Sequence, residues 1–289
     1  MVNFLKFKWL YYLISATVIL SGIFSIFKWG YKYSIDFVGG TNLEYTLEKQ
    51  YKPDEVKKIF KNNNIEVVDF SLVKNQLTVR TKAIDEKVES KLKDDLSKFL
   101  STKIIVQKSE TVGPVLGKET MYKTLIAAIL ATIGILIYMS FAFKGFNYAF
   151  SAVLAMFHDL LVVIGVYSLF SHFLGAEVDT MFVTAVLTSL SFSVHDTIII
   201  FDKIREYKKQ GENFSIEEGV NKALTETMVR STNNSMTIIF MLLALTLLGG
   251  STIRFFIATL LVGTITGTYS SPFVATPLLV WMEKMKKKS

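Results

Sequence analysis

Six long apolar stretches dominate this 289-residue chain and limit the folds open to it. The hydrocarbon core of a bilayer is about 30 Å thick, so a helix that crosses it needs roughly 20 mostly apolar residues. The stretches that reach this length are residues 9–28, 123–143, 147–172, 181–202, 232–251 and 254–281. We therefore expect an α-helical polytopic membrane protein with six transmembrane helices.

The first stretch is too long for the core of a signal peptide, and it lacks a cleavage site of small residues. Trp9 and Trp29 bracket it, as aromatic residues do at the two surfaces of a membrane. The sequence therefore predicts that residues 1–29 hold a short N-terminal segment and a retained transmembrane helix.

Most of the charge lies outside these stretches. Residues 30–120 carry 30 of the 57 charged side chains, 16 basic and 14 acidic, and this near balance provides no basic patch for nucleic acid. The absence of Cys excludes disulfides, thiol chemistry and thiolate metal sites. Residues 30–120 are thus expected to form a water-soluble domain between the first two helices, with no nucleic-acid partner.

The distribution of Lys and Arg over the short loops predicts the orientation. With the N-terminus inside, 13 basic residues face the cytoplasm, whereas the opposite loops 173–180 and 249–254 contain only Arg254. We expect a multi-pass protein of the cell membrane with both termini cytoplasmic and residues 30–120 extracytoplasmic. The basic residues on the inner side are Lys6, Lys8, Lys144, Lys203, Arg205, Lys208, Lys209, Lys222, Arg230, Lys284, Lys286, Lys287 and Lys288.

The outer segment shows an alternation of strand and helix patterns. We predict a strand over Tyr33–Leu47 that Gly39 and Gly40 interrupt, and two helices with one apolar face. The order βαββαβ indicates a small α+β ferredoxin-like domain. Such a domain is either a compact spacer or a binding surface for an unfolded chain or a partner subunit. The other predicted elements are a helix from Pro53, a hairpin of Val67–Val73 and Leu77–Thr81, a helix over Asp85–Leu100 and a strand over Ile104–Val106.

The remaining chain is predicted to form a five-helix membrane domain over residues 121–281 and a basic cytoplasmic tail over residues 282–289. A cytoplasmic segment, 203–231, interrupts the membrane domain. Its pattern indicates two short helices within 203–230, and Ser215 followed by Glu218 is typical of a capping box.

Ionisable residues occur in the cores of only two of the six stretches. The third carries His158 and Asp159, and the fourth carries His195 and Asp196. An Asp at the centre of a membrane helix costs about 2.5–3.5 kcal/mol, so such residues face protein or water and mark ion or proton pathways. Because the two helices are consecutive, Asp159 and Asp196 could share one polar zone. The histidines can equally be hydrogen-bonded structural residues.

Small and polar residues surround Asp196 in the sequence and favour close helix packing. In the sixth stretch, Gly263 and Gly267 predict a helix that packs closely and can kink. Arg230 precedes the fifth stretch, where it is either a surface anchor or a counter-charge for Asp196. Asp202 is expected to be a surface charge because Lys203 and Arg205 follow it.

Five short motifs, in order along the chain, resemble those of the SecD/SecF family. They resemble the family patterns D-F-x-G-G-T, V-G-P-x-x-G, N-D-T-x-x-x-F-D-R-I-R-E, R-T-x-N-T-S and G-T-Y-S-S. The single small outer domain favours SecF. The matching segments are Asp36 to Thr41 (with Gly39 and Gly40), Val112 to Gly117 (with Gly113 and Pro114), Ser193 to Glu206, Arg230 to Ser235, and Gly267 to Ser271.

The resemblance implies a half-RND architecture that acts with a SecD-like subunit on the SecYEG translocon and on unfolded exported polypeptide. It implies proton-driven export and no enzyme chemistry, with protons as coupling ion and no other cofactor or metal. By motif position, Asp196 and Arg230 would carry proton coupling, with Asp159 a weaker candidate. His195 replaces the usual Asn, and its imidazole could perturb Asp196 or relay its proton.

Three other functions are compatible with parts of the sequence. A solute or lipid exporter of the RND superfamily would need a second half. An intramembrane aspartyl protease could use Asp159 and Asp196 as a dyad, but the chain has no G-x-G-D motif. A metal transporter would need more ligands than the two histidines supply.

Overall fold

The computed structural model describes residues 3–143, 145–209 and 215–288. The chain divides into two compact units, one formed by residues 33–126 and the other by residues 1–32 and 127–289. We call them the soluble unit and the membrane unit.

The helices are α1 (Lys8–Trp29), α2 (Ile35–Val38), α3 (Pro53–Asn62), α4 (Glu86–Leu100), α5 (Pro114–Ala142), α6 (Phe146–Leu174), α7 (Thr180–Lys209), α8 (Ile216–Leu248), α9 (Arg254–Ser270) and α10 (Thr276–Lys288). The strands are β1 (Lys32–Tyr33), β2 (Gly40–Leu47), β3 (Val67–Val73), β4 (Gln76–Thr81), β5 (Ile104–Val112) and β6 (Glu177–Val178). Two 3₁₀ turns, Phe4–Phe7 and Ser251–Ile253, and a π-helical segment, Ser271–Ala275, complete the described elements.

The soluble unit is built on a four-stranded antiparallel sheet with the strand order β3-β4-β2-β5. The core lies between the sheet and the helices α3 and α4, which supply apolar side chains at helical spacing. Phe60 from α3 and Leu92 from α4 are fully buried against Tyr45 of β2. The alternation of burial along β2 and β4 leaves the other face of these strands more polar.

The first predicted strand is wrong in its N-terminal half. Residues Ile35–Val38 form the helical turn α2, because the Ser34 hydroxyl accepts a hydrogen bond from the backbone N–H of Asp36 at 3.2 Å. Gly39 ends the turn at φ +75°, and β2 starts only at Gly40. The last strand, in turn, is longer than predicted and reaches Val112.

Two sequence motifs pack against each other in the soluble unit. A Cβ atom on Gly39 would lie 2.7 Å from the Cα of Pro114, and one on Gly117 would lie 2.7 Å from the Gly39 nitrogen. A Cβ atom on Gly40 would likewise lie 2.7 Å from the carbonyl oxygen of Thr81. These glycines are therefore required by close backbone approach, which links the turn before β2 to the start of α5.

In the described part of the chain, five helices are long and apolar enough to cross a membrane. They are Phe4–Trp29 (the first 3₁₀ turn with α1), α5, α6, α7 and α8. The sixth predicted span, 254–281, is divided into α9, the π-helical segment and α10. Pro272 stands at the start of the π segment, where its missing N–H and its ring favour a change of helical hydrogen bonding.

The two short helices predicted for residues 203–230 are wrong. The chain up to Lys209 continues α7 without a break, and Ile216 begins α8, which continues unbroken to Leu248. The predicted capping box is confirmed: the backbone N–H of Glu218 donates to the Ser215 hydroxyl, and the Glu218 carboxylate accepts from the Ser215 N–H. The residues between these helices, 210–214, lie outside the described part.

Ion pairs and a hydrogen bond join the ends of several helices in the membrane unit. Lys208 of α7 binds Glu283 of α10 at 2.9 Å, and Asn147 of α6 donates to the same carboxylate at 2.8 Å. Lys284 of α10 binds Glu217 of α8. The ends of four helices thus meet at one surface of the membrane unit.

Helices α1 and α6 approach at two glycines, and this contact can be tested. A Cβ atom on Gly22 would lie 2.6 Å from the Cα of Gly165, so Gly22→Ala must push the backbones apart. We expect a loss of about 1–3 kcal/mol in stability, seen as a lower melting temperature of the purified full-length protein. Gly134→Ala in α5 is the matched control, because a Cβ atom there meets nothing within 4 Å. Equal melting temperatures for the two variants would contradict the prediction.

Candidate functional site

The buried polar side chains of the membrane unit gather where α6, α7 and α9 pack together. The approach of α7 and α9 depends on small residues spaced four apart on both helices. A Cβ atom on Gly263 would lie 2.1 Å from the Ser189 hydroxyl oxygen, and one on Gly267 would lie 3.0 Å from the Ser193 Cα. This close packing brings serine hydroxyls of α7 and α9 within reach of Asp159, one of the two carboxylates that the sequence singles out.

Asp196 is 3% exposed and lies in the middle part of α7. Both of its carboxylate oxygens are 2.7 Å from one hydroxyl, that of Ser231 on α8. A neutral hydroxyl thus holds this buried carboxylate across a helix interface. An uncompensated carboxylate in such a setting is costly, and a neutral hydroxyl supplies no counter-charge for it.

Arg230 does not pair with Asp196 in this conformation. Its side chain is exposed on α8, and among the described residues the carboxylate contacts Ser231 instead. His195 is also exposed and lies on a different face of α7 from Asp196. The functional roles of Arg230 and His195 remain predictions. Asp202 forms the surface ion pair with Arg205 expected of it, at 3.0 Å.

Asp159 is 2% exposed and receives hydrogen bonds from three helices. The hydroxyl of Ser193 on α7 donates to its Oδ2, as does that of Ser270 on α9 at 2.6 Å. Its Oδ1 lies 2.8 Å from Nδ1 of His158 on its own helix, α6. The carboxylate therefore sits at the junction of α6, α7 and α9.

The His158 ring connects this carboxylate to α1. Its Nε2 lies 2.9 Å from the Ser15 hydroxyl, which donates to the Tyr269 hydroxyl at 3.4 Å. The Tyr269 hydroxyl in turn donates to the backbone carbonyl of Tyr11 at 2.7 Å. A continuous line of polar groups therefore runs from Asp159 to α1 through otherwise apolar helices.

Among the described residues, the two carboxylates have separate sets of hydrogen-bond donors. The carbonyl of Ser193 accepts a bond from Thr197 at 3.1 Å, and Thr197 directly follows Asp196. Thr197 also bonds to Ser271, the first residue of the π segment, at 2.9 Å. The geometry gives no support to an aspartyl protease, since that chemistry needs two carboxylates that share a proton.

No three acidic or histidine side chains converge on a point that could hold a metal ion within residues 3–143, 145–209 and 215–288. The donors around Asp159 and Asp196 are hydroxyls and one imidazole.

The sequence located both carboxylates but not all of their partners. Ser231 directly follows Arg230, for which the sequence left open a surface anchor or a counter-charge for Asp196. Ser15 is one of four Ser and Thr residues in the first apolar stretch, with Thr17, Ser21 and Ser25, and is 143 residues from His158. Only the presence of hydroxyl residues in otherwise apolar helices could have indicated these partners.

Comparison with known proteins identifies the family. The sequence model of the C-terminal part of SecD/SecF protein export membrane proteins matches residues 88–285. The chain is 38% identical to the protein translocase subunit SecF of Thermobaculum terrenum, over 98% of this chain and 95% of the relative. It is 35% identical to the protein translocase subunit SecF of Anaerolinea thermophila, over 97% of this chain and 94% of the relative.

Solved structures give the same result for the fold. The crystal structure of SecDF from Thermus thermophilus, described as a translocon-associated membrane protein, superposes with a TM-score of 0.84 and 29% identity over 98% of this chain. A SecDF structure in the super-membrane-facing form superposes with a TM-score of 0.66 and 28% identity over 99% of this chain. In both cases this chain spans only 39% of the SecDF chain.

The apolar helices and the buried carboxylates define a multi-pass membrane protein with a polar centre between its helices. The sequence match extends over nearly the whole chain and includes the helices that carry this centre. The chain belongs to the SecF family of protein translocase subunits.

Proposed function

We propose that this chain is an accessory subunit of the Sec translocase that acts with a SecD-like subunit. In this proposal it promotes export of unfolded polypeptides through the SecYEG channel, driven by the proton motive force. It acts by transport and not by enzyme catalysis. Membership of the SecF family supports the export role.

The observation that carries proton coupling is the burial of Asp196 against Ser231. A carboxylate that is 3% exposed, in a helix long and apolar enough to span a membrane, is retained at a cost. Its partner is a neutral hydroxyl, so gain or loss of a proton changes the net charge of the site. Arg230 is proposed as the cation that approaches Asp196 in another conformation, and His195 and Asp159 as further groups on the proton path.

The proposal includes a sixth transmembrane span formed by α9, the π segment and α10. Helical structure without a break from Arg254 to Lys288 supports it. Six spans place both termini on one side, and the basic residues near the joined helix ends favour the cytoplasm for that side. The soluble unit then lies outside the membrane, on the side where an exported chain emerges.

For the soluble unit we propose a ferredoxin-like fold. Its element order from β2 to β5 and its strand order β3-β4-β2-β5 support this assignment. The proposed role of the unit is to contact the emerging polypeptide or the SecD-like subunit.

A SecD-like partner is supported by the lengths of the solved relatives. This chain matches 39% of the chain of the solved protein named SecDF, and its curated relatives are named SecF. The comparisons give no support to a solute or lipid exporter, because the named relatives are translocase subunits.

The function can be tested by replacement in bacterial cells. A strain whose own SecF has been removed should regain export of a secreted reporter when this chain and its SecD-like partner are supplied. A protonophore should remove that gain, and the two subunits should copurify. A chain that inserts in the membrane and copurifies, yet leaves export unchanged, would contradict the proposal.

A further inference from the structure

Asp159 and His158 form a buried pair, of which the proposed function uses only Asp159, as a further group on the proton path. The pair lies at the junction of α1, α6, α7 and α9, away from Ser231. The hydroxyl groups around the pair have defined donor and acceptor roles, and these limit where the hydrogens of the pair can lie.

The carboxylate side of the pair is set by its donors. Two serine hydroxyls, of Ser193 and Ser270, donate to Oδ2 of Asp159, and Nδ1 of His158 faces Oδ1 at 2.8 Å. The two serine hydroxyls bond more strongly to a carboxylate than to a neutral carboxylic acid.

The histidine side of the pair is set by its acceptors. The Tyr269 hydroxyl gives its hydrogen to the Tyr11 carbonyl at 2.7 Å, and the Ser15 hydroxyl gives its hydrogen to Tyr269. The Ser15 oxygen is then an acceptor for Nε2 of His158 at 2.9 Å. With Asp159 ionised, its Oδ1 can only accept, so all bonds in this line are satisfied when both ring nitrogens of His158 carry hydrogen.

The net charge of the pair leads to the same conclusion. An ionised Asp159 beside a neutral imidazole would leave one uncompensated negative charge among apolar helices, on a residue that is only 2% exposed. No Lys or Arg of the described residues pairs with it. Other titratable groups face the pair from the packed helices: Tyr269 of α9, whose ring centroid lies 6.4 Å from that of His158, and Asp196, about one helical turn along α7 from Ser193. Helix α1 contributes Ser15 and, against Tyr269, Tyr11.

We propose that His158 and Asp159 are a second proton-binding site, with the proton carried by His158 as an imidazolium paired with the Asp159 carboxylate. Loss of this proton leaves a buried negative charge, so release requires water to reach the pair. Ser193 links the carboxylate to α7, and Ser270, the residue directly before the π segment, links it to α9. The protonation state of the His158–Asp159 pair therefore biases the packing of α6 against α7 and α9.

Nuclear magnetic resonance of ¹⁵N-labelled histidine tests the inference directly. The chain has only three histidines, and the other two, His172 and His195, are exposed. The double variant H172Q/H195Q therefore isolates the His158 signals and leaves the pair intact. In lipid bilayers at pH 7 we expect both ring nitrogens of His158 at shifts typical of N–H.

Two further variants separate the pair from the proposed coupling site. Asp159→Asn in the same background should move one ring nitrogen to the shift of an unprotonated nitrogen, whereas Asp196→Asn should leave both unchanged. A bare ring nitrogen on His158 without either substitution would overturn the inference. The inference rests on the hydrogen-bond network alone, so normal export by Asp196→Asn would contradict the proposed function and leave this result standing.

Discussion

Replacing Asp196 with Asn is expected to reduce proton-driven export to the level of cells that lack the chain. Asn has nearly the size of Asp, and its amide oxygen can still accept the Ser231 hydrogen bond, which is 2.7 Å long in the native protein. The amide cannot gain or lose a proton near neutral pH. The variant should therefore insert and fold normally while the coupling step is lost.

The measurement is the rate at which a pulse-labelled secretory protein reaches the outside of the cell, with and without a protonophore. Asp202→Asn is the matched control, because Asp202 lies on the same helix but is exposed and pairs with Arg205 at the surface. Exposed pairs contribute about 0–1 kcal/mol, so this control should retain native export. Protonophore-sensitive export by the Asp196 variant at the native rate would refute the assignment of Asp196.

The elements that the sequence predicted best are those with a strong hydrophobic pattern. The first, third and fourth apolar stretches each lie within one helix, and Pro53–Asn62 follows the predicted amphipathic face. Burial in lipid or against a sheet determines such elements, and a periodic pattern records that burial. Helices α7 and α8 extend beyond the predicted spans because a helix that leaves the membrane has no physical reason to end there.

The site was predicted less completely, for a geometric reason. Asp196 could be identified because a buried charge in an apolar helix is costly. Its partner could not be identified. Residues 230 and 231 point about 100° apart on a helix, and the sequence does not determine which of them α8 turns toward α7. The contact between Ser15 and His158 joins α1 to α6, so it depends on which helices become neighbours.

The substitution Gly39→Ala is expected to destabilise the soluble unit strongly. Gly39 has φ +75° and ψ 166°, a conformation that costs a residue with a side chain about 1–3 kcal/mol. The new Cβ atom would also lie 2.7 Å from the Cα of Pro114, and overpacking of this kind costs about 1–3 kcal/mol more. Domains of this size are stable by only about 5–15 kcal/mol, so the combined loss is a large share of the total.

Limited proteolysis of the full-length protein in membranes can measure this loss as faster cleavage within residues 33–126. The control is Gly113→Ala, which lies in the motif that Gly39 contacts but where a Cβ atom meets nothing within 4 Å. If the glycines of the two motifs serve only as flexible links, both variants should be cleaved equally fast. If close backbone packing is the reason for Gly39, only its replacement should expose the unit, because Gly113 has room for a methyl group and Gly39 has none.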